Sequence, residues 1–591
     1  MKKLIDYLKE YKKLKSNKDT VKIRVAILSS FTTKGLKEVL AVKCKDIGVQ
    51  AEIYLSDYNQ YAQEILDNNS GLYEFNPDLV FLLIDTQTVL GDAYFNFFEK
   101  KEVHRKDLIM EKLDSILSLV KAMKKNTDAK IVVHNLMVPV YSPYGIIDNK
   151  QDPGLKEFVQ KVNLGLNNSL QADEQIFVYD YDAFCSRYGK DKIVDYKLYF
   201  LGDIKLSLDY FPELCDEYLS YVKPIMALSK KCIVLDLDNT LWGGIIGEDG
   251  MDNIKLGPTP EGRPFWEFQK YLLALFNRGI ILAVNSKNNL DDALEVFRNH
   301  PYMVLKEHHF ASMRINWNDK ISNMKEISKE INIGLDSMVF VDDDNFNREI
   351  VKDALPDVKV LEMPTDPSLY LRTLVQSNDF DLLQLTYEDR KKGKMYIDQR
   401  KRQQLKSDTT DLTEYLRGLE MTVTIEQANN HNIPRISQLT IKTNQFNMTT
   451  RRYSAEKIKE FAASKEFLVF CIKVEDKFGD NGITGAVIIK KSSDSWKIDS
   501  FLLSCRIIGR KIEQVLLNYI FKKAKQKGIK NIIAEYIPTK KNVANNGFYK
   551  DNGFVLLSND NEYDFFGFDT SKKYSFPDFI KVLEVDNNGE A

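Results

Sequence analysis

Three apolar segments of this chain each end in polar residues, and this pattern constrains the fold more than any other feature. The segments are 232–240 (CIVLDLDNT), 279–287 (GIILAVNSK) and 337–344 (SMVFVDDD). A short apolar run bounded by turn residues predicts a buried strand. In open α/β sheets, ligands bind beyond the carboxyl ends of the strands. The sequence therefore predicts a site where these three strands end.

The polar residues at those strand ends suit one metal ion and one phosphate group. Asp236 and Asp238 form a carboxylate pair that can bind a divalent cation, and one member can attack an electrophile. Lys320 lies near the start of a helical pattern between the second and third segments. The alternative is three ordinary strands with solvated acidic ends.

The order of these residues resembles the four motifs of the haloacid dehalogenase (HAD) superfamily of phosphatases and phosphotransferases. The matching residues, in motif order, are Asp236, Asp238 and Thr240, then Ser286, then Lys320, then Asp342 with Asp343. The resemblance implies that Asp236 attacks phosphorus and forms an aspartyl phosphate. It also implies that Asp238 protonates the leaving oxygen and later deprotonates the hydrolytic water.

The same resemblance implies a Mg²⁺ site and a phosphate site. The metal ligands would be Asp236, the Asp238 backbone carbonyl and Asp342, with Asp343 close by. The phosphate-binding candidates are Thr240, Ser286, Lys320 and Lys287. Lys287 has an alternative role as a solvated lysine in a loop.

The motif spacing favours a HAD core without a cap domain. Asp236 and Ser286 are 50 positions apart, and Ser286 and Asp342 are 56 apart, which leaves room only for core helices. Such a core is open at the site. Trp242 and Trp266 are expected either to contact substrate at its rim or to pack within loops.

A length of 591 residues predicts about three domains in an α/β chain. We assign 1–225 to an α/β domain, 226–385 to the HAD-like Rossmann-like core and 386–410 to a basic helical linker. Residues 411–575 are assigned to an α+β domain, and 576–591 to a C-terminal tail. The first domain alternates predicted strands and helices, which indicates a flavodoxin-like parallel sheet.

A serine-rich turn after the first strand, together with Asp85 at a later strand end, resembles SGNH-type esterases. Ser29 or Ser30 would then be the nucleophile, but the motif reads SSFT and the late Asp-x-x-His has no counterpart. A serine without a base is a poor nucleophile. We therefore expect an SGNH-like domain with a docking or dimerisation role rather than an active esterase.

The last third of the chain resembles acyltransferases of the GNAT type. Residues 506–511 (RIIGRK) fall where those enzymes bind pyrophosphate through backbone N–H groups at a helix N-terminus. Arg506, Gly509 and Arg510 are the resulting candidates for binding coenzyme A, although Lys511 replaces the small residue of that motif. Tyr549 is a general acid or a core tyrosine.

The whole chain resembles the FkbH-like proteins of the HAD-IIIC subfamily. The resemblance rests on long strings such as LDLDNTLWGG, QLTIKTNQFNMTTRRY and SCRIIGR. It implies a role in polyketide or surface-polysaccharide biosynthesis. The implied reaction takes a glyceryl group from 1,3-bisphosphoglycerate, releases phosphate and loads the acyl group onto an acyl carrier protein. The thiol that accepts the acyl group would belong to the phosphopantetheine of the carrier or to coenzyme A. Family members that load glyceryl carry a thiol where this chain has Asn285; Cys505 is an alternative thiol or a small buried hydrophobe.

Composition narrows the remaining alternatives. The net charge of −2 provides no field that attracts nucleic acid or an acidic membrane. The six cysteines are scattered, which suits reduced thiols in a cytoplasmic protein, and the N-terminus is expected to form an amphipathic helix rather than a signal peptide. The sequence leaves three hypotheses: a phosphatase coupled to acyl transfer, a stand-alone phosphatase, and a non-enzymatic scaffold.

Overall fold

The computed structural model describes residues 2–14, 21–385, 395, 398, 401–402, 405–406, 409, 411–539, 541–559 and 563–585. The chain divides into two compact units, Met1–Met226 (unit 1) and Ala227–Ala591 (unit 2). Most of the predicted basic linker, 386–410, lies outside the described residues. No helix in the described part of the chain is long and apolar enough to cross a bilayer.

Unit 1 contains a five-stranded sheet in which every pairing is parallel. The strand order is β2-β1-β3-β4-β5, and the helices that connect the strands pack on the sheet. The strands are β1 (Val21–Ser29), β2 (Val49–Leu55), β3 (Leu79–Leu83), β4 (Lys130–His134) and β5 (Ile176–Tyr179). The prediction of a parallel α/β sheet is confirmed, and the central strands β3 and β4 are buried on both faces, as is typical of such sheets.

The helices of unit 1 follow the predicted alternation with strands. The predicted helix at 154–171 spans Leu155–Leu170, while the one predicted at 108–124 extends over Glu102–Asn126. The helices are α1 (Leu4–Tyr11), α2 (Leu36–Asp46), α3 (Tyr61–Leu66), α4 (Gly71–Phe75), α5 (Thr86–Leu90), α6 (Ala93–Asn96), α7 (Glu102–Asn126), α8 (Leu155–Leu170), α9 (Tyr181–Tyr188), α10 (Lys190–Ile193), α11 (Tyr196–Gly202) and α12 (Phe211–Ile225).

The first sheet of unit 2 is also parallel and contains the three predicted site strands. Its order is β10-β9-β6-β7-β8. The strands are β6 (Cys232–Leu235), β7 (Ile281–Ser286), β8 (Phe310–Ile315), β9 (Met338–Val341) and β10 (Lys359–Val360). The helices are α13 (Ile246–Asp249), α14 (Arg263–Asn277), α15 (Leu290–Asn299), α16 (Lys320–Ile331), α17 (Asn345–Ala354) and α18 (Tyr370–Gln376). Between β6 and β9, where every residue is described, the chain forms only core elements and no inserted domain.

The second sheet of unit 2 mixes parallel and antiparallel strands. Its order is β17-β18-β16-β15-β14-β13-β11-β19, and β12 pairs with β15. The strands are β11 (Met421–Gln427), β12 (Phe446–Asn447), β13 (Phe467–Asp476), β14 (Gly479–Lys491), β15 (Ser495–Leu503), β16 (Asn531–Tyr536), β17 (Val555–Asn559), β18 (Asp564–Asp569) and β19 (Ile580–Val585). The helices are α19 (Leu412–Gly418), α20 (Ile433–Lys442), α21 (Ala455–Ala463), α22 (Ile512–Gln526) and α23 (Phe548–Asp551).

One prediction for the C-terminus is wrong. Residues 576–591 were expected to form a tail, but Ile580–Val585 is strand β19, which pairs in parallel with β11. Its segment IKVLEV lies at the sheet edge, and most of its side chains are exposed. The pairing partner is more than 150 positions away in the sequence, so local pattern alone did not distinguish this edge strand from a tail.

Candidate active site

The carboxyl ends of β6, β7 and β9 bring the predicted motif residues to one edge of the sheet. Leu235 pairs with Val284 on one side and with Val341 on the other. The next residues along these strands, Asp236 and Asp342, therefore lie side by side, and the Asp236 N–H donates to the Val341 carbonyl at 2.9 Å. The register thus produces the predicted cluster.

Three carboxylates form the centre of this cluster. Asp236, Asp342 and Asp343 each offer an oxygen, and these oxygens lie within 4.8 Å of one another. Burial, with repulsion from Asp236 and Asp342, raises the pKa of Asp343 to about 7. Burial and Asp236 also raise the pKa of Asp342. Clustered carboxylate oxygens are the ligands that Mg²⁺ prefers, and a bound cation would relieve their repulsion.

Lys320 provides the positive charge at the site. Its Nζ lies 2.6 Å from Asp236 Oδ1 and 3.1 Å from Asp342 Oδ2, and it donates to the Asn285 carbonyl at 2.7 Å. The side chain is only 4 % exposed. Burial alone would lower the pKa of Lys320, but the two carboxylates raise it overall. The lysine therefore remains charged beside Asp236.

Asp238 does not belong to the carboxylate cluster, and three hydrogen bonds orient its side chain. Its Oδ1 accepts from Trp242 Nε1 at 2.8 Å and from the Ile246 N–H at 3.1 Å, and its Oδ2 accepts from Asn288 Nδ2 at 2.9 Å. Burial raises the pKa of Asp238, and the charge of Asp236 adds to this effect, while these hydrogen bonds oppose it. A carboxyl with a raised pKa is suited to donate a proton.

The other phosphate-site candidates occupy different positions. The Asp343 N–H donates to Thr240 Oγ1 at 3.2 Å, so this threonine contacts the loop that carries two of the carboxylates. Ser286 is buried at the end of β7. Lys287 is exposed on the following turn, as expected of a solvated loop lysine.

Two comparisons with known proteins bear on the identity of this chain. Residues 24–223 match the family described as FkbH, N-terminal domain. The solved N-terminal part of the protein BF1531 from Bacteroides fragilis, described as containing a phosphatase domain complexed with Mg, is 31 % identical to this chain. The match covers 65 % of this chain and 100 % of that one, with a TM-score of 0.60. The chain belongs to the FkbH-like proteins of the HAD superfamily.

Further comparisons of this FkbH-like protein gave lower scores. The ribosomal-protein-S18-alanine N-acetyltransferase of Escherichia coli is 11 % identical, over 26 % of this chain and 96 % of that one, with a TM-score of 0.21. The Campylobacter jejuni N-acetyltransferase PseH, solved with acetyl coenzyme A, is 18 % identical, over 19 % and 74 %, with a TM-score of 0.16. No curated protein matches the sequence.

Three residues that sequence reasoning missed, or interpreted differently, support the FkbH-like site. Two roles were open for Trp242, contact with substrate or packing within loops; it is fully buried, and its Nε1 donates to Asp238. Arg348 Nη1 donates to the Asp342 and Asp343 carbonyls at 2.8 and 2.6 Å, and so fixes the acidic loop. Asn288 orients Asp238. Asn288 lies two positions after the motif residue Ser286, whereas no local signal marks Arg348.

Asn285, at the position where the resemblance implies a thiol in glyceryl-loading members, is part of the scaffold around Lys320. It is fully buried at the end of β7. Its Nδ2 donates to the Lys320 carbonyl at 2.9 Å, and its Oδ1 accepts from Asn323 Nδ2 at 3.1 Å. The amide therefore ties β7 to the first turns of α16.

The coenzyme A candidates lie in the second sheet of unit 2, in the loop before α22. Arg506 and Arg510 are buried, and Arg510 Nη1 donates to Asp476 Oδ2 at 3.1 Å in an ion-pair cluster that includes Arg402. Gly509 has a φ of +79°. The guanidinium groups are thus engaged within the protein, and binding of pyrophosphate by the backbone of this loop stays a prediction.

Tyr549 and the serines of unit 1 occupy structural positions. Tyr549 is 1 % exposed among Phe548, Phe554 and Phe566, and burial raises its pKa, which favours its role as a core residue. Ser29 Oγ accepts from the Phe31 N–H at 3.1 Å, and Ser30 Oγ donates to Asp85 Oδ2 at 2.9 Å. Both hydroxyl groups stabilise the turn after β1.

Proposed function

We propose that this FkbH-like protein is a Mg²⁺-dependent phosphatase or phosphotransferase that acts on a phosphorylated small metabolite through an aspartyl phosphate. The observation that carries this proposal is the meeting of Asp236 with Asp342, Asp343 and Lys320 at one sheet edge. A lone acidic cluster is common on protein surfaces, but this one is buried and contains a charged lysine. The Mg²⁺ in the related Bacteroides fragilis protein supports the same assignment.

Asp236 is the proposed nucleophile and Asp238 the proposed acid and base. Asp236 is 8 % exposed and therefore reachable, whereas the neighbouring Asp342 is fully buried. Asp238 protonates the leaving oxygen, and its carboxylate then takes the proton of the attacking water. The hydrogen bonds from Trp242 and Asn288 hold Asp238 in a fixed position during both proton transfers.

The remaining residues stabilise negative charge. Lys320 is proposed to contact the transferring phosphoryl group, together with the motif residues Ser286 and Thr240. The carboxylates of Asp236 and Asp342 and the Asp238 carbonyl would hold Mg²⁺, with Asp343 close by. When bound, Mg²⁺ offsets the repulsion between the anionic nucleophile and the anionic phosphate. Arg348 keeps the acidic loop in place for this binding.

Coupling to acyl transfer is the more specific part of the proposal. Family membership supports transfer of a glyceryl-type group to an acyl carrier protein or a polysaccharide intermediate, with coenzyme A or a carrier phosphopantetheine as the thiol. Asn285 favours the second candidate, a stand-alone phosphatase, because its buried amide is engaged by Lys320 and Asn323 and cannot carry a thioester. Cys505 is the one partly exposed cysteine of the six.

The test offers phosphorylated three-carbon acids to the full chain with Mg²⁺, with and without a carrier protein. We expect phosphate release that depends on Mg²⁺ and is lost in Asp342→Asn. The exposed Asp353→Asn on α17 is the matched control and should keep its activity. A mass gain on the carrier selects the coupled reaction, and phosphate release alone selects the stand-alone phosphatase. Release that is equal without Mg²⁺, or unaffected by Asp342→Asn, would refute the metal-dependent mechanism.

A further inference from the structure

Unit 1 contains a cavity of about 120 Å³ at the carboxyl ends of β1, β3 and β4. The segments that follow these strands contribute to its wall. They supply Phe31 after β1, the residues from Ile84 to Gln87 after β3, and Met137 and Pro139 after β4. The carboxyl edge of a parallel sheet is where open α/β folds bind their ligands. This cavity belongs to a different sheet from the carboxylate cluster, and the reaction proposed above does not use it.

Five phenylalanine and tyrosine rings contribute to the cavity wall. They come from the turn after β1 and from α6, α9 and α11, and they are Phe31, Tyr94, Tyr181, Tyr196 and Tyr199. Burial raises the pKa of Tyr94 and of Tyr181, so their hydroxyls remain protonated at neutral pH. Ring faces around a small cavity favour an apolar occupant.

The polar groups of the wall are engaged with one another. Gln87 Oε1 accepts from Tyr199 Oη at 2.6 Å and from Lys205 Nζ at 2.9 Å. Lys205 Nζ also lies 3.3 Å from carboxylate oxygens of both Asp85 and Asp203. One ammonium between two carboxylates leaves a net negative charge, which would repel an anionic ligand.

The one histidine of the wall is uncharged. His134 closes the β4 side of the cavity, and its Nε2 shares a hydrogen bond with Tyr218 Oη at 3.0 Å. Burial lowers the pKa of His134 to about 3, so the imidazole is neutral at physiological pH. The wall therefore presents ring surfaces and no positive charge other than the ammonium of Lys205, which is already paired.

We propose that this cavity binds an uncharged apolar group the size of one aromatic ring, as a free small molecule or as the end of a larger one. Its volume is close to the ~150 Å³ of an engineered apolar cavity that holds benzene. The aromatic rings of the wall favour the apolar part of the ligand. The carboxylates of Asp85 and Asp203 beside Lys205 would repel a ligand that carries a carboxylate. Unit 1 is then a small-molecule binding domain, which differs from an esterase and from a docking domain.

Fluorine NMR of the full chain tests this site with fluorobenzene as the probe and 4-fluorobenzoate as its anionic counterpart. We expect saturable binding of fluorobenzene, and binding of the benzoate weaker by about tenfold or more. Val194 lines the cavity from a half-buried position, so Val194→Phe should fill part of it and weaken binding at least about tenfold. Val194→Leu should give an intermediate loss.

The control is Leu201→Phe, which adds the same ring on α11 at a residue that is 75 % exposed and not part of the wall. It should bind the probe as the unsubstituted chain does, and hydrogen exchange of β3 and β4 should verify that each variant is folded. Absence of saturable binding, equal binding in the Val194→Phe and Leu201→Phe variants, or tighter binding of the benzoate would each overturn the proposal.

Discussion

At the scale of single residues, the site depends on how Asp238 is oriented. Trp242 Nε1 donates to one of its oxygens and Asn288 Nδ2 to the other, and Trp242 is fully buried in the apolar core of the sheet. A core tryptophan therefore has a second role as a hydrogen-bond donor to the proposed acid. This geometry makes Trp242 a positioning residue rather than a residue that contacts substrate.

Replacing Trp242 with Phe should separate these two roles. The phenyl ring keeps most of the packing, but Asp238 loses a hydrogen bond worth about 1.5–3 kcal/mol to a charged group. We expect kcat to fall about ten- to hundredfold with little change in KM, and the acidic limb of the pH–rate profile to shift. Trp496→Phe, at a buried tryptophan in the core of the second sheet of unit 2, is the control, and an equal loss of kcat in both variants would contradict this role.

His134 makes the stability of unit 1 depend on pH. Its native pKa is lowered to about 3 by burial, whereas the unfolded value is about 6.5. Below pH 6.5 the unfolded chain binds a proton that the native state does not, so the free energy of unfolding should fall by up to about 1.4 kcal/mol per pH unit. Above pH 6.5 this contribution is constant.

Hydrogen exchange of β3 and β4 measures this effect, because all four tryptophans of the chain lie in unit 2 and do not report on unit 1. His134→Gln should flatten the acid loss of protection, whereas the exposed His104→Gln on α7 should keep it. A slope that is unchanged in His134→Gln would show that another group titrates.

At the scale of elements, α16 is fixed at its start by contacts to β7. Asn285 on β7 donates to the Lys320 carbonyl, and Lys320 Nζ donates back to the Asn285 carbonyl. Asp319 caps the helix by accepting from the Ser322 N–H at 2.8 Å. The helix thus presents its first side chain directly to the carboxylates.

Asn285→Cys tests the contact between β7 and α16, and it places a thiol where the resemblance implies one in glyceryl-loading members. A thiol cannot replace both amide hydrogen bonds, so we expect a loss of about 1–3 kcal/mol in the free energy of unfolding, with slower turnover because Lys320 is less well placed. Urea unfolding followed by tryptophan fluorescence measures the stability. The exposed Asn299→Cys at the end of α15 is the control, and a loss of the same size there would refute the argument.

At the scale of the whole molecule, metal binding should stabilise unit 2. The three carboxylates repel one another without a cation, and a ligand that binds only the folded state adds about 2.7 kcal/mol at 100 times its Kd. We expect Mg²⁺ to raise the melting temperature reported by tryptophan fluorescence, and EDTA to reverse the shift. Asp342→Asn should abolish the shift, and a shift of full size in that variant would place the ion elsewhere.

Local sequence patterns predicted much of the architecture. The apolar runs ending in DLDNT, NSK and DDD gave the site strands within a few residues, because buried parallel strands have a strong local signal. The register of β6 with β7 and β9 then brought the motif residues together without further assumptions.

What the sequence could not predict depends on contacts between distant segments. Arg348 fixes the acidic loop, β19 pairs with β11, and Arg510 pairs with Asp476 although the two lie 34 positions apart. Trp242 shows the same limit at close range: its position in the loop was evident, but the direction of its ring depends on the core behind it. Roles that follow from tertiary packing therefore required the structure.

The central claim is that Asp236 becomes phosphorylated, and trapping the adduct tests it most directly. Asp238→Asn should retain the nucleophile but lack both the acid of the first step and the base for hydrolysis. With an acyl phosphate, whose leaving group needs no protonation, and Mg²⁺, an acid-quenched reaction of this variant should therefore accumulate the intermediate. We predict a mass gain of one phosphoryl group on the peptide that contains Asp236, absent in the Asp236→Asn/Asp238→Asn double variant. A phosphorylated peptide from another part of the chain, or undiminished phosphate release by Asp236→Asn alone, would contradict the account.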